Sequence, residues 1–322
     1  MKKVVVAGAG VLGSQIGFQS AYRGKDVTFW LRSEDSIERA KPRVETWYKT
    51  YLAELENMKQ ELEKDRPDYA RGLVDNFQEL TPEKIDTLLE NVESAYANIK
   101  YETDLEKAVA DAEIVIEAMA EIKEEKHAFF QELAKYLPEE TIVVSNSSTM
   151  LPSTFAEDTG RPEKYLHLHF ANRIWRLNIG EVMVHPGTDE ASRDAVMAFA
   201  EEIGMVPVLL NKERPGYILN SLLIPLLSAA QELLVTGVAD YKDIDKTWKI
   251  SLGVPMGPFE ILDMIGLVTP YNLYKSYPQY EDPESNVRKI VDLYEKMLAE
   301  GKKGVETGEG FYKYDENRQK ID

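Results

Sequence analysis

The feature that most constrains this chain is a glycine-rich turn close to its start. Residues 4–13 read Val-Val-Val-Ala-Gly-Ala-Gly-Val-Leu-Gly, which places a G-x-G-x-x-G pattern directly after a short apolar strand. Such a turn lets the backbone approach a pyrophosphate, which then sits at the N-terminus of the following helix. A helical segment and a second strand follow at the distance that a dinucleotide-binding fold requires. The residues predicted to contact the dinucleotide here are Gly8, Gly10, Val11, Leu12 and Gly13.

The end of the second predicted strand, 27–31, indicates which dinucleotide is bound. An Asp or Glu is expected there when the adenosine ribose carries no phosphate. This strand ends instead in Leu31, followed by Arg32 and Ser33. A cation and a hydroxyl without an opposing carboxylate suit a 2′-phosphate, so we predict NADP(H) in preference to NAD(H). The alternative is that Arg32 is an ordinary solvated surface arginine.

Length and charge limit the classes of partner. The chain has 322 residues, enough for two domains, and 43% of them are apolar. Its 56 acidic and 38 basic residues give a net charge of −18, which disfavours nucleic acid and anionic membranes as partners. Cysteine is absent, which excludes disulfides and thiolate chemistry. No uninterrupted apolar run reaches about 18 residues and no leader segment is evident, so we expect a cytoplasmic protein without a membrane span.

Short strands alternate with helices through the first two thirds of the chain, which predicts an α/β fold with a doubly wound, Rossmann-type sheet. The polar stretch at about 34–97 is interpreted as a protruding helical hairpin, either a solvated charged arm or a lid over the substrate. From 211 the pattern is helical only. We therefore predict a dinucleotide-binding domain over 1–210 and an all-helical domain over 211–322 for substrate binding and homodimer formation. The predicted strands are 3–7, 27–31, 114–117, 142–145, 166–170, 181–184 and 206–209.

Polar residues at the ends of the later strands are candidates for chemistry, because ligands bind at that edge of such sheets. Four small hydrogen-bonding residues, 146–149, follow a buried strand, more than a helix cap requires. His167 and His169 lie on one face of the next strand. A zinc site is rejected because no third ligand is near. Glu181 opens another apolar strand and would be a natural partner for a histidine. Asn220, in an apolar helix, needs a partner from the protein or a ligand.

These segments, in their order along the chain, resemble the L-3-hydroxyacyl-CoA dehydrogenase family, including 3-hydroxybutyryl-CoA dehydrogenases. The resemblance covers nearly the whole chain. The local sequences of 146–152 and 169–175 look closer to the diketoreductase-like branch of the family, which reduces carbonyl substrates that carry no CoA. The segments that carry it are Gly-Ala-Gly-Val-Leu-Gly at 8–13, Ser-Asn-Ser-Ser at 145–148, His-Phe-Ala-Asn at 169–172, Glu181, Pro-Gly-Tyr-Ile-Leu-Asn at 215–220, Pro-Met-Gly-Pro-Phe-Glu at 255–260 and Thr-Gly-Glu-Gly-Phe-Tyr at 307–312.

The resemblance implies a role for each matching residue. His169 exchanges a proton with the 3-oxygen of the substrate, and Glu181 orients and charges that histidine. Ser148 and Asn220 hydrogen-bond the reacting oxygen. Hydride transfer itself belongs to the cofactor. Two further residues, Glu117 and Asn172, are expected along the nicotinamide end.

Three departures from the family pattern bear on ligand choice. Leu31 and Arg32 replace the acid that NAD-binding members have at the end of the second strand. Glu306 replaces the basic residue usual just before the Thr-Gly at 307–308. The 34–97 arm is longer and more acidic than the family's CoA-binding hairpin, whereas Arg173 and Arg176 are better placed to meet a small carboxylate or a thioester.

Three functions remain open at this point. The first is an NADP(H)-linked 3-hydroxyacyl dehydrogenase, with acyl-CoA as the family-default substrate. The second is a CoA-independent reductase of 3-oxo acids, diketones or sugar acids. The third is a non-catalytic, crystallin-like reuse of the fold, which the presence of both His169 and Glu181 disfavours.

Overall fold

The computed structural model describes residues 1–65, 67–316 and 318–321. The chain forms two compact units, Met1–Ile218 and Leu219–Asp322. The sequence places the boundary eight residues earlier, at the end of the last strand. Tyr217 and Ile218 belong to the first unit because they bond to its strands and loops: the Tyr217 hydroxyl contacts His167, and the Ile218 N–H donates to Glu181.

The first unit is built on one eight-stranded sheet with the order β3-β2-β1-β4-β5-β6-β7-β8. Neighbouring strands are parallel except β6 and β7, which are antiparallel. The predicted doubly wound fold is confirmed, and only the three-residue edge strand β3 was not predicted. The strands are β1 (Lys3–Ala7), β2 (Asp26–Trp30), β3 (Lys100–Glu102), β4 (Ile114–Glu117), β5 (Ile142–Ser145), β6 (Tyr165–Phe170), β7 (Ile179–Met183) and β8 (Val206–Leu210).

Helices cover both faces of the sheet, and the first strand shows why. Val4 and Val6 point into one apolar layer, whereas Val5 and Ala7 point into another, because successive side chains of a strand alternate between faces. A strand buried on both faces is therefore apolar throughout, as the sequence showed. The helices of this unit are α1 (Val11–Tyr22), α2 (Glu34–Glu61), α3 (Pro82–Asn98), α4 (Leu105–Val109), α5 (Lys123–Leu133) and α6 (Glu190–Glu202).

The polar stretch after β2 forms the predicted helical hairpin from α2 and α3. One face of α2 carries Tyr51 and Leu55, both fully buried, and α3 contributes Ile85 and Val92 to the same core. The Tyr51 hydroxyl donates to the side chain of Gln19 on α1 at 2.6 Å. The hairpin is thus attached to the sheet layer by its apolar face, while most of its acidic side chains are exposed.

The second unit is helical, as predicted, and has its own core around Phe259, Leu262, Ile290 and Tyr294. One helix, α10, was not predicted, because its segment is short and contains a proline, a residue that is typical of turns. The helices are α7 (Leu219–Val235), α8 (Tyr241–Leu252), α9 (Pro258–Ile265), α10 (Val268–Lys275) and α11 (Asn286–Ala299).

One segment of the described chain, Tyr217–Val235, is long and apolar enough to cross a membrane by length and composition alone. The sequence expectation missed it because scattered polar residues, such as Asn220 and Gln231, interrupt the apolar run. Only 17% of its most apolar 18-residue window is buried, so most of that window is not enclosed by the protein core. The absence of a membrane partner therefore stays a prediction.

Candidate active site

The glycine-rich turn has the geometry that a dinucleotide requires. Gly8 adopts a φ of +104°, and a Cβ there would lie 2.7 Å from the carbonyl oxygen of Ala118. A Cβ on Gly13 would lie 2.4 Å from the carbonyl oxygen of Gly8. A Cβ on Gly10 would meet nothing within 4 Å, so this backbone stays open to a ligand. The turn, together with Val11 and Leu12, lines a cleft of about 600 Å³ at the N-terminus of α1.

Three arginines line the cleft beside the end of β2. Arg32 follows Leu31, and its guanidinium pairs with Glu125 on α5 at 2.5 Å. The other two lie one turn apart on α2: Arg39 donates to the Ser36 hydroxyl at 2.9 Å, and Arg43 donates to the carbonyl of Ala9 at 3.3 Å. The residues that end β2 and follow it, Trp30, Leu31 and Arg32, include no acid. Arg39 and Arg43 were not predicted, although their i, i+4 spacing just after the strand places both on one helix face.

Three residues proposed for the cofactor, Ser33, Glu117 and Asn172, are not among the residues that line this cleft. Ser33 caps α2, where its hydroxyl accepts from the backbone N–H of Ser36 at 3.3 Å. Glu117 is fully buried at the end of β4, where it pairs with Lys126 at 2.6 Å and accepts from Ser145 at 2.6 Å. The position of Glu117 at the end of a strand could not show that its carboxylate is already paired with a buried lysine.

Glu121 is the acid that does line the cleft, and it organises the loop after β5. Its carboxylate accepts from the Ser147 hydroxyl at 2.6 Å, the Ser148 N–H at 3.1 Å and the Thr149 N–H at 3.0 Å. Burial alone would raise the pKa of Glu121. Hydrogen bonds from Ser147 and Thr149 and the charge of Lys126 outweigh that effect and hold the pKa below its ordinary value.

His169, Glu181 and Ser148 come together at the carboxyl ends of the strands. His169 and Glu181 are directly opposite each other in the antiparallel pair β6–β7, and Nδ1 of the histidine lies 3.1 Å from Oε2 of the glutamate. The other ring nitrogen, Nε2, lies 3.2 Å from the Ser148 hydroxyl. Both His169 and Glu181 are at least 96% buried. Because Ser148 also lines the dinucleotide cleft, the His169–Glu181 pair lies next to that cleft.

The remaining candidates have different surroundings. Asn172 is exposed just past β6 and is not among the residues that line the cleft, whereas Asn146 is. Asn220 lies half-buried in the first turn of α7, in the second unit. The roles given to Asn172 and Asn220 stay predictions.

The two arginines after His169 are held by the protein itself. Arg176 pairs with Glu54 of α2 through two guanidinium nitrogens, at 2.7 and 2.5 Å, and with Asp68 at 2.8 Å. These contacts raise its pKa, chiefly through the hydrogen bonds that the guanidinium donates to Glu54. Arg173 adopts a φ of +63°, and its backbone N–H donates to Gln15. Arg176 is therefore part of the attachment of the hairpin, and the role given to it as a substrate contact stays a prediction.

A dinucleotide cleft that ends at a His–Glu pair and a serine hydroxyl defines a nicotinamide-dependent oxidoreductase. Residues 3–214 match the family model for the NAD-binding domain of 3-hydroxyacyl-CoA dehydrogenase, and 216–314 match that for its C-terminal domain. The chain belongs to the 3-hydroxyacyl-CoA dehydrogenase family, whose members act on CH–OH groups with a nicotinamide cofactor. The resemblance inferred from the motifs is confirmed.

Relatives and solved structures cover almost the whole chain. The mitochondrial hydroxyacyl-coenzyme A dehydrogenases of Rattus norvegicus and Homo sapiens are 32% and 31% identical to it, over 98% of this chain and 91% of theirs. A diketoreductase structure, described as catalysing reactions of dicarbonyl compounds, is 40% identical with a TM-score of 0.82, over 98% of this chain and 99% of that one. The (S)-3-hydroxybutyryl-CoA dehydrogenase of Ralstonia eutropha is 25% identical with a TM-score of 0.73, over 98% and 100%.

Proposed function

We propose that this protein interconverts a 3-oxo and a 3-hydroxy group on an acyl or dicarbonyl compound, with His169 as the acid–base residue. The observation that carries the proposal is the position of Ser148, which lines the dinucleotide cleft and lies 3.2 Å from Nε2 of His169. A carbonyl oxygen placed between these two groups would be hydrogen-bonded by both. It would also lie at the mouth of the cleft that fits the cofactor.

The residues of this chain divide the work of proton transfer. The bound nicotinamide supplies or accepts the hydride at the carbonyl carbon. In the reducing direction, protonated His169 donates from Nε2 to the substrate oxygen, and in the oxidising direction neutral His169 accepts that proton. Glu181 fixes the proton on Nδ1 and stabilises the charged ring. The hydroxyl of Ser148 donates a second hydrogen bond, which strengthens as the oxygen gains negative charge.

For the cofactor we propose NADP(H) in preference to NAD(H). The arginines Arg32, Arg39 and Arg43 surround the end of the cleft where the adenosine ribose would lie, and Leu31 offers no carboxylate to a ribose hydroxyl. Guanidinium groups bind phosphate by paired, charge-assisted hydrogen bonds. Arg32 would exchange Glu125 for the phosphate, and Ser36 replaces Ser33 as the hydroxyl at this site.

For the substrate we propose a 3-oxo or dicarbonyl compound that needs little or no CoA. Both lysines of the arm between 54 and 65 are already in ion pairs: Lys59 with Glu56 and Asp86, and Lys64 with Glu61. Arg176 is likewise held by Glu54. Phosphates of CoA would have to compete with these carboxylates. The similarity to a diketoreductase supports the same choice, whereas 3-hydroxyacyl-CoA is the substrate that the family descriptions favour.

Steady-state kinetics tests the reaction and the choice of ligands together. Acetoacetyl-CoA, a free acetoacetate ester and a 3,5-dioxo ester would each be assayed with NADPH and with NADH. We expect turnover of the esters, with higher kcat/KM for NADPH. Absence of turnover with every carbonyl and both cofactors would contradict the proposed reaction. A preference for NADH of about tenfold or more would contradict the cofactor assignment alone.

We also propose that the protein forms a homodimer through its second unit. Leu222 on α7 and Ile250 on α8 are 69% and 74% exposed, and Val238, between these helices, is 68% exposed. Three large apolar side chains exposed on adjoining elements are typical of an interface. A second copy of this chain is the occupant we propose, because symmetric pairing covers one such surface with another.

A further inference from the structure

His167 is a buried histidine that the proposed mechanism does not use. It lies on β6 two residues before His169 and is fully buried. Both of its ring nitrogens contact tyrosine hydroxyls: Nε2 lies 3.1 Å from that of Tyr165, and Nδ1 lies 2.9 Å from that of Tyr217. The Tyr217 hydroxyl also donates to the carbonyl of Ser147 at 2.7 Å. A histidine with every polar atom occupied in this way is built into a network.

The network fixes where each proton lies. The Tyr217 hydroxyl has one proton and gives it to the carbonyl of Ser147, so Nδ1 of His167 must donate to Tyr217. Nε2 of His167 then accepts from Tyr165. Burial lowers the pKa of His167 to about 3, and the nearby charge of Lys126 acts in the same direction, so the ring is neutral. Burial raises the pKa of Tyr217 well above its ordinary value and keeps the phenol protonated.

Tyr217 and the residue after it contact the two members of the acid–base pair. Its ring stacks on that of His169, with centroids 4.3 Å apart and planes 11° from parallel. The next backbone N–H, of Ile218, donates to Oε1 of Glu181 at 2.9 Å. Tyr217 also adopts a φ of +53°, a left-handed conformation that is strained for an aromatic residue and persists only where its surroundings hold it.

We propose that His167 is a positioning residue: by holding the hydroxyl of Tyr217, it fixes the ring that covers His169 and the N–H that orients Glu181. The same hydroxyl binds the carbonyl of Ser147, next to Ser148. One hydrogen-bonded tyrosine thereby ties the strand, the serine loop and the segment at 217–218 together around the reacting groups. The inference rests on the proposed reaction, in which His169 transfers the proton.

Four single variants separate the two sides of the His167 ring. Tyr217→Phe keeps the stacked ring but removes the hydroxyl. His167→Asn keeps an amide donor near the position of Nδ1, whereas His167→Gln places its amide near Nε2. Tyr165→Phe is the matched control, because it removes the buried hydroxyl that contacts Nε2 and leaves the bond between His167 and Tyr217 in place. We expect Tyr217→Phe and His167→Gln to lower kcat about tenfold, since sub-ångström misplacement of a catalytic group is costly.

The expected pattern differs from that of a structural role. KM for NADPH should stay within about twofold in all four variants, and His167→Asn and Tyr165→Phe should keep most of kcat. His167→Gln should have little further effect in a Tyr217→Phe background, because His167 acts through that hydroxyl. A kcat within about twofold of wild type in Tyr217→Phe would overturn the proposal, as would equal effects of His167→Gln in the two backgrounds.

A measurement without turnover distinguishes this inference from the proposed reaction. Long-range ¹H–¹⁵N NMR of the wild-type protein reports which nitrogen of a neutral histidine carries the proton. A proton on Nδ1 of His167, assigned by comparison with His167→Asn, supports the network even if every carbonyl tested proves a poor substrate. A proton on Nε2 of His167 would overturn the positioning role, whatever the enzyme reduces.

Discussion

At the scale of single residues, the site depends on one cross-strand pair. His169 and Glu181 are opposite each other because β7 runs antiparallel to β6, unlike the other strand pairs of this sheet. In an antiparallel pair, directly opposed side chains have their Cβ atoms about 4.5–5.5 Å apart, which suits a short hydrogen bond between them. The change of strand direction between β6 and β7 therefore provides the geometry that proton transfer needs.

Replacing His169 with Ala should abolish most turnover, because a positioned acid–base group contributes about 10²–10⁴-fold to the rate. The cofactor cleft does not include this residue, so NADPH affinity should change little. Stopped-flow reduction and fluorescence titration with NADPH measure the two effects separately. Turnover of His169→Ala within about threefold of wild type would mean that another group supplies the proton.

Glu181→Gln should lose a smaller part of kcat than His169→Ala. The amide can still accept from the N–H of Ile218, but it cannot stabilise a charged His169 ring as a carboxylate does. We expect a loss of about tenfold to a hundredfold in kcat, measured at saturating substrate and cofactor. A variant with the kcat of wild type would show that the charge of Glu181 does not matter.

Sequence alone predicted some residues of the site and not others, for physical reasons. His169 lies near the end of a buried strand, Ser148 follows another, and Glu181 lies within an apolar strand. They were found because a polar side chain is conspicuous in each of these places. Arg39 and Glu121 were missed because they lie on solvent-rich segments, where arginine and glutamate are common. Only the three-dimensional fold shows that these segments turn toward the cleft.

At the scale of elements, α2 joins two functions. Its first turns carry Arg39 and Arg43 into the cleft, and its later turns bury Tyr51 against α1. The apolar positions of such a helix follow from its periodicity, so the existence of the hairpin was predictable. Its pairing with Arg176 was not, because the partners Glu54 and Arg176 are 122 residues apart.

Arg39→Ala should raise KM for NADPH about tenfold and leave KM for NADH almost unchanged, because a guanidinium–phosphate hydrogen bond contributes about 1.5–3 kcal/mol. Lys41→Ala is the matched control: Lys41 lies on the same helix, is exposed and pairs only with Glu38 at 2.7 Å among its described contacts. Steady-state kinetics with both cofactors measures the effect. Equal changes in KM for NADPH and NADH would show that Arg39 does not face the 2′-phosphate.

The reciprocal change tests the strand end itself. In a double variant, Leu31→Asp with Arg32→Ile, a carboxylate would be present for the ribose hydroxyls, and one cation for the phosphate would be lost. We expect the preference to reverse from NADPH to NADH, measured as the ratio of the two kcat/KM values. A double variant that still favours NADPH as strongly as wild type would place the phosphate elsewhere.

The second unit contains an acid that makes its stability depend on pH. Burial raises the pKa of Asp263 to about 6, and the charge of Asp245 acts in the same direction, although N–H groups of Phe311 and Tyr312 oppose it. A raised pKa means that the folded state holds this proton more tightly than the unfolded chain. Asp263 therefore stabilises the fold most fully below about pH 4, and that contribution is lost as the pH rises through about 6.

Thermal unfolding of wild type and Asp263→Asn from pH 4.5 to 7.5 isolates this contribution, since all other groups are shared. Asn does not titrate, and its amide has only one oxygen to accept from the N–H groups of Phe311 and Tyr312. Its NH2 group would face the other N–H, so the variant should be less stable at every pH. The difference in Tm should be largest at low pH and shrink toward pH 7. A difference that grows with pH would contradict the raised pKa.

At the scale of the whole molecule, the exposed apolar surface of the second unit predicts assembly. Leu222→Glu places a charge in the middle of the proposed interface, which association would have to bury. We expect the variant to sediment as a monomer in analytical ultracentrifugation at concentrations where wild type is a dimer. Leu177→Glu, at a 48% exposed leucine of the first unit, is the control. A monomeric wild type would contradict the proposed homodimer.

The last prediction concerns what the substrate must carry. Remote binding energy normally supports kcat, so an enzyme built for CoA loses kcat when the nucleotide tail is removed. In this chain the arm that would meet such a tail is acidic and exposed, and its lysines Lys59 and Lys64 are paired with Glu or Asp, as is the neighbouring Arg176. We therefore expect acetoacetate esters and pantetheine thioesters to keep a kcat within about tenfold of that for acetoacetyl-CoA.

Lys59→Ala should leave the kcat for all three substrates unaffected, because the charge of Lys59 is already paired within the arm. A loss of kcat of about a thousandfold on removing CoA would overturn this expectation and favour 3-hydroxyacyl-CoA as the substrate, while leaving the roles of His169 and Ser148 intact.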